Sequence, residues 1–456
     1  MSLAIFVTLC VATSHAQSNS IKEVEVKTEG RAANRIVYKM TVSPAAAPKP
    51  LLRYRMTVPI DELIPGNAAS HYQRSLAEHS LYAPLRRAEK EFGRDRFYSF
   101  IQDLALEDIP REDLRKASGY FEDYVTRYIA PATRTHRCDW GYGEAFLSGD
   151  DYLTFPLPFA QTTRSIGRVL VLQARHATAE RDYDKAADRL RMLYVLGNRV
   201  GDIKILVCSL IGIAEHGMAN RAMLDLMSAP DSPNMYWALA SLPSPIVDFP
   251  SALRADLTLG PRLLDLQNVE GLGLSNEEWN RRLRDVTARL MQGLGNGEPA
   301  KEPSLSESLL ATGLVMSRYE AAKERLLDGG MGKRLVEDMA IGQAVLIDAA
   351  REYRRIADEL EVIAYLPPPE VAERWKQSDE LFHPEGTKSL GVMMAEQILP
   401  ASAACSNAVT RINEEIAALR VIEAIRMHAA ETGALPKSLD DIHCVHVPRN
   451  LSLIHI

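Results

Sequence analysis

The sequence predicts a mainly α protein. The expected architecture is an irregular multi-helix array with a helical hairpin near its middle, a long antiparallel helix pair at the C-terminus and minor β structure near the N-terminus. Three observations carry that expectation. Residues 203–214 (I-K-I-L-V-C-S-L-I-G-I-A) are apolar on nearly every face apart from Lys204 and Ser209, and such a helix has to be covered all round. The surrounding stretch 161–227 repeats apolar residues at helical spacing. From Lys333 to Ala364 the residues Leu335, Met339, Gly342, Leu346, Ala349, Tyr353, Ile356, Leu360 and Ile363 recur by threes and fours, the seam of a helix lying along another.

The totals set the bounds. The 456 residues are 46% hydrophobic and 25% charged, enough for roughly two or three folded domains. The net charge of −7 argues against a general nucleic-acid binder, which carries a basic stripe. The 203–214 run falls short of the about twenty residues that cross a bilayer, and no later stretch is longer and equally apolar, so no membrane span is expected after the N-terminus.

Residues 1–16 read as an export signal: Leu3 to Ala12 is apolar and Ser14-His15-Ala16 is a small-x-small cleavage site, although the start has no Lys or Arg. Cys10 follows Leu9, where lipid attachment needs a small residue. Beyond the signal stand Cys138, Cys208, Cys405 and Cys444, and export to an oxidising compartment would permit one or two disulfides among them. Cys208, inside the apolar run, is expected to be a buried small hydrophobe.

Residues 17–64 form a polar, Pro-rich lead. Within it Arg35 to Val42 and Arg53 to Val58 are short strands that could pair, joined by the stiff linker S-P-A-A-A-P-K-P at 43–50. A helical domain follows over 65–230, with helices opening at Pro65-Gly66-Asn67 and running over 86–106 and 112–129, a loop at Cys138 to Gly141 and an irregular connection at 150–159. Ile166, Val169, Leu170, Ala174 and Ala177 mark one helix of the central hairpin; Ala186, Leu190, Leu193, Gly197 and Val200 mark the next. Asp182 is the N-cap between them, and Gly201-Asp202 breaks the chain before the central helix. The pair, A-x-x-A-E-R-x-D-Y-D-K-A, resembles a tetratricopeptide hairpin in a single copy.

The segment 231–300 carries a short helix with Tyr236 and Trp237, a Pro-rich edge at Pro243, Pro245 and Pro250, helices at 251–268 and 277–293, and a loop to Pro303. A long-helix domain occupies 301–444. Its expected pair is Lys333 to Ala364 against Ala401 to Thr432, whose Cys405, Ala408, Ile412, Ile416, Leu419 and Ile422 line one side, with Pro367-Pro368-Pro369 between. Residues 445–456 read as a truncated or artefactual end, the last six resembling translated sequencing-adapter read-through.

Motifs with chemical potential are sparse. Asp328 to Arg334 (D-G-G-M-G-K-R) departs from a phosphate loop, with Leu327 for the first Gly and Arg334 for Ser or Thr, and reads as a turn. His443, Cys444 and His446 have no second Cys/His cluster nearby. Glu215-His216 lacks the second His of a zinc-protease helix and reads as a helix end leaving the core. His71 and His79 are two helical turns apart, about 12 Å, too far for one ion. No metal and no cofactor is expected. The candidate catalytic residues are Cys138 and His136, since a thiolate beside a cationic imidazole or arginine is nucleophilic. The alternative for the same loop is an anchor, with Trp140 plugging the core.

Five stretches in order resemble an uncharacterised family of large exported helical proteins of Planctomycetes-type bacteria. They are Pro65 to Ala69, Cys138 to Gly141, the hairpin from Ala174 to Leu190, Ser232 to Leu239 (S-P-N-M-Y-W-A-L) and Gly433 to Asp441 (G-A-L-P-K-S-L-D-D). The resemblance implies export and a helical body, and carries no activity. The last stretch is also similar to the post-helix turn of type II secretion pseudopilins. The first functional expectation is an exported, non-enzymatic binding or scaffold protein, using a groove in its helical array to hold a protein partner. The alternatives are a hydrolase or thiol-dependent enzyme centred on Cys138, and an envelope component related to secretion machinery.

Overall fold

A computed structural model describes residues 41, 43–141, 157–292, 305–383, 386–398 and 400–448, with the backbone of short strands at 5–6, 22–26, 35–39 and 454–455. The signal cleavage site, Cys10, residues 150–156, the loop 293–303 and residues 451–453 lie outside the described residues. Among the described residues 71% are helical. Six short strands among the described residues pair in twos. β1 (Ile5–Phe6) runs parallel to β6 (Ile454–His455), β2 (Lys22–Val26) antiparallel to β3 (Arg35–Lys39), and β4 (Ile64–Asn67) parallel to β5 (Thr135–Arg137). The partner of Arg35–Lys39 is therefore Lys22–Val26, with Val24 opposite Val37. The expected strand at 53–58 is a run of bends. Its side chains explain why: Arg53 and Tyr54 both reach Asp184, at 3.0 and 2.8 Å, while Met56 is fully buried and its N–H donates to Ser241 Oγ at 3.2 Å.

The first helical layer is more broken than the periodicity suggests. Asn67 caps α1 (Ala68–Ser75), its Oδ1 accepting from the Ala69 N–H at 3.1 Å. The expected helix 86–106 is two, α2 (Ala83–Phe92) and α3 (Arg94–Gln102). Gly93 parts them at φ +79°, a conformation that glycine adopts without strain. The expected helix 112–129 is α4 (Arg111–Gly119) followed by the short α5 (Glu122–Tyr124), a π turn at Val125–Ile129 and α6 (Ala130–Arg134).

Three helices then stack side by side: α7 (Leu157–Ala179), α8 (Tyr183–Gly201) and α9 (Leu206–Ser228). Asp182 caps α8 by accepting from the Lys185 N–H. The central apolar helix begins at Leu206 and continues to Ser228, well past the expected 203–214, and residues on every side of it are buried. Its neighbours approach closely. A Cβ on Gly212 would sit 2.7 Å from the Gly197 carbonyl oxygen and 2.9 Å from the Gly201 backbone, so glycine here sets the spacing of α8 and α9.

The remainder covers this layer: α10 (Tyr236–Ala240), α11 (Phe249–Leu263), α12 (Asn276–Gln292), α13 (Leu305–Asp328), α14 (Lys333–Glu337), α15 (Ile341–Ile363), α16 (Pro368–Ser378), α17 (Leu390–Ile398) and α18 (Pro400–Thr432). The seam from Lys333 is interrupted at Asp338–Ala340, and α15 packs on α17, α13 and α12. Gly391 lets α17 in, since a Cβ there would lie 2.2 Å from the Ala349 carbonyl oxygen. The expected partner, α18, lies instead across α9 and α10. The apolar stripe showed that each helix has a covered face, and small residues elsewhere decided what covers it. One continuous core runs from Met56 to Ile422, with a smaller cluster around Tyr236, Ile425 and Ile442.

Candidate functional site

The Cys138 loop is built by two side chains from outside it. Asn67 Nδ2 donates to the Asp139 carbonyl at 2.7 Å, and Asn67 Oδ1 accepts the Asp139 N–H at 2.8 Å. Arg199 of α8 donates to the carbonyls of Ala132, Thr133 and Thr135, capping α6 and the start of β5. Trp140 is buried, stacks on Tyr72 at 5.6 Å and donates its indole N–H to the Arg199 carbonyl at 3.0 Å. Cys138 is a free, partly buried thiol, and burial pushes it up to about 12, Arg199 offsetting only part of the shift. A nucleophilic cysteine needs the opposite shift. His136 lies exposed on β5 between Thr135, which is buried, and Arg137. Cys138, Cys208, Cys405 and Cys444 are all free thiols, so the disulfides that export would permit are not formed. Among the described residues no group of three or more His, Cys, Asp or Glu could hold a metal ion.

Glu215 and His216 correct a second expectation. They sit in the middle of α9, both fully buried. Glu215 faces Thr163 of α7, and burial pushes its carboxyl up to about 8. His216 stacks on Tyr194 of α8 at 5.9 Å, and burial pushes its imidazole down to about 3. Two glycines make the room: a Cβ on Gly167 would lie 1.9 Å from Glu215 Oε2, and one on Gly197 2.7 Å from the His216 ring. Burial thus shifts both groups toward their neutral forms, and both are sealed from solvent.

The same helix opens on a cleft one turn further on. It has a volume of about 630 Å³ and lies between α7, α9, α18 and the segment after α3. Arg175 of α7 forms its floor and is wholly engaged: Nε stands 2.9 Å from Asp225 Oδ2, and the two terminal nitrogens donate to the Phe100 and Leu104 carbonyls. Asn220, 4% exposed, accepts from the Tyr194 hydroxyl at 2.7 Å and donates from Nδ2 to Glu415 Oε2 at 3.1 Å. Arg221 donates to the Gln102 carbonyl at 3.0 Å. Asp103 and Asp108 complete the charged lining. Burial raises the carboxyls of Asp225 and Glu415, opposed by Arg175 and Asn220 respectively.

None of these cleft residues stood out in the sequence. A signal was present: His216, Asn220 and Asp225 continue a helix that begins apolar on every face, and a polar residue there must meet a partner or a cavity. The carboxylate from α18 had no such signal, because its apposition to Asn220 depends on how the helices stack. No family model, no curated protein and no solved structure matches the chain.

Proposed function

We propose that the protein is an exported, non-catalytic binding or scaffold protein and that the cleft between α7, α9 and α18 holds its partner. The observation that carries this reading is the cleft itself. Its floor is fixed by the Arg175 bonds and by the Tyr194–Asn220–Glu415 chain, while charged groups remain at its open side. A concave, preformed site with a few fixed polar groups is the usual form of a ligand pocket. The thiol chemistry that would favour an enzyme is opposed by the raised Cys138. Export rests on the pattern of Leu3 to Ala16, and kinship with exported helical proteins rests on the five stretches named above.

Gly217 supplies the test. It lines the cleft, and a Cβ placed on it meets nothing within 4 Å, so Gly217→Trp projects an indole into the cleft from an uncrowded position of the helix. A thermal-shift panel of cationic, anionic and neutral small molecules and short peptides should contain members that raise the Tm of the wild type and not of Gly217→Trp. Binding to the folded state alone stabilises it by about 2.7 kcal/mol at a hundredfold excess over Kd. A panel in which every active member stabilises both proteins equally would overturn the cleft as the site.

A further inference from the structure

We infer that the ligand of this cleft presents a cationic nitrogen, an ammonium or guanidinium group, to the carboxylate of Glu415. The inference rests on the cleft being the binding site and adds what it binds. It follows from which charges in the cleft are already engaged. Arg175 is spent on Asp225 and on two backbone carbonyls. Arg221 donates to the Gln102 carbonyl at the exposed edge and keeps its charge, one cation against the cleft's remaining carboxylates. Three carboxylates remain, Asp103, Asp108 and Glu415, and the first two meet no cation among the described residues. The cation nearest Glu415 is Arg411, whose Nε is 3.9 Å from Oε1 and whose side chain is half exposed.

The support behind Glu415 is built from neutral groups. Tyr194 is fully buried and its hydroxyl donates to Asn220 Oδ1, which turns the Asn220 NH₂ toward Glu415. An amide donor fixes a carboxylate without neutralising it. The carboxylate is thereby positioned; burial opposes its ionisation and Arg411 and Arg221 meet it only from the exposed edge, while Asp103 and Asp108 add charge of the same sign to the cleft. A positive ligand group would be drawn in and an anion repelled. A metal ion is disfavoured, since no set of three ligating groups converges among the described residues. The volume of about 630 Å³ matches a pocket for a group of side-chain size or larger.

Isothermal titration at low ionic strength tests this with three probes: L-argininamide as a free cation, a capped tri-arginine peptide as a cationic chain segment, and glutarate as an anion. Wild type should bind both cations saturably and glutarate not at all. Glu415→Gln keeps the shape and the Asn220 contact and should weaken the cations by about tenfold or more. Asp103→Asn, at the exposed rim, should weaken them less, and it serves as the test if Glu415→Gln fails to fold by circular dichroism. A peptide that binds more tightly than argininamide makes the natural ligand a segment of a protein, whereas equal affinity makes it a small free cation. Cation binding unchanged in both variants, or absent from the wild type, overturns the inference. Glutarate binding that Gly217→Trp abolishes would also overturn it, while leaving the cleft as the site; glutarate binding untouched by Gly217→Trp would remove both.

Discussion

Two helices carry a carboxylate that is completely shut away from water, and they accommodate it in opposite ways. On α18, Glu423 has Arg426 one turn along, with Nη1 2.8 Å from Oε1, and both side chains are 0% exposed. The remaining guanidinium nitrogens donate to the carbonyl and hydroxyl of Ser232, both at 2.8 Å, and to the Ser43 carbonyl at 2.9 Å. On α9, Glu215 meets no cation at contact distance among the described residues and is held neutral in a notch left by Gly167. The paired site ties three distant segments together, namely the Pro-rich linker, the turn before α10 and the C-terminal helix. The unpaired site ties nothing. It lets three helices approach at glycine-to-backbone distance, with polar groups filling the notches. Burial raises both carboxyls, and what separates them is the cation in contact: an acid held by a buried guanidinium acts as a knot, whereas one without it acts as packing.

That distinction breaks or holds on Arg426→Met. Removing the guanidinium strands Glu423 and frees Ser43 and Ser232, so urea denaturation should show a loss of about 3–5 kcal/mol. A loss below about 1 kcal/mol would mean that the pair is no knot. The neutral site predicts a pH profile instead. The Glu215 carboxyl rises from 4.5 to about 8 on folding, so the folded state keeps a proton that the unfolded state sheds, and stability falls as pH rises through that window. The His216 imidazole drops from 6.5 to about 3, so its contribution falls as pH is lowered through that window. The two slopes oppose one another where the windows overlap. Thr163, Arg164 and Arg168 of α7 and Tyr194 of α8 face the pair. Glu215→Gln should abolish the alkaline fall and keep the acid one, read by urea midpoints across pH. An unchanged alkaline limb would show that Glu215 is charged in the fold. The packing itself is tested by Gly212→Ala, whose methyl meets the Gly197 and Gly201 backbone and should cost about 1–3 kcal/mol.

The same contrast shows what could be read from residues alone. The cap at Asp182, the helix start at Pro65-Gly66-Asn67, the turn at Gly433 and the apolar helix were legible because each depends on a few neighbours in sequence. The division of 86–106 hung on Gly93, a visible signal overridden by the length of the apolar pattern on either side. The pairing of α15 was not legible. Its stripe fits any covered face, and the choice of α17 depends on Gly391 meeting Ala349, more than forty residues away in the chain. The cleft was hidden for a related reason. Asn220 and Glu415 are 195 positions apart and meet through stacking, so neither carries a local mark of the other. The Glu423–Arg426 pair does have helical spacing, but in sequence it is indistinguishable from the exposed pairs that such spacing usually makes.

The smallest effect is expected at the Cys138 loop, where, as at Glu215, neutral groups do most of the holding. Asn67→Ala removes the cap of α1 and both bonds to the Asp139 backbone, a loss of about 1–2 kcal/mol. The loop should open locally before the core does. Alkylation by iodoacetamide at neutral pH is the sensitive readout. In the wild type Cys138 should react slowly, because its thiol is raised to about 12 and partly covered. Cys208 and Cys405 should react only on unfolding, since both are fully buried. In Asn67→Ala the Cys138 rate should rise severalfold while the other two stay protected. If Cys138 is already the fastest thiol of the wild type, the loop is no anchor, and a reactive cysteine returns as the centre of the molecule's chemistry. If it stays slow in both proteins, Trp140 and Arg199 hold this end of the fold without the Asn67 bonds.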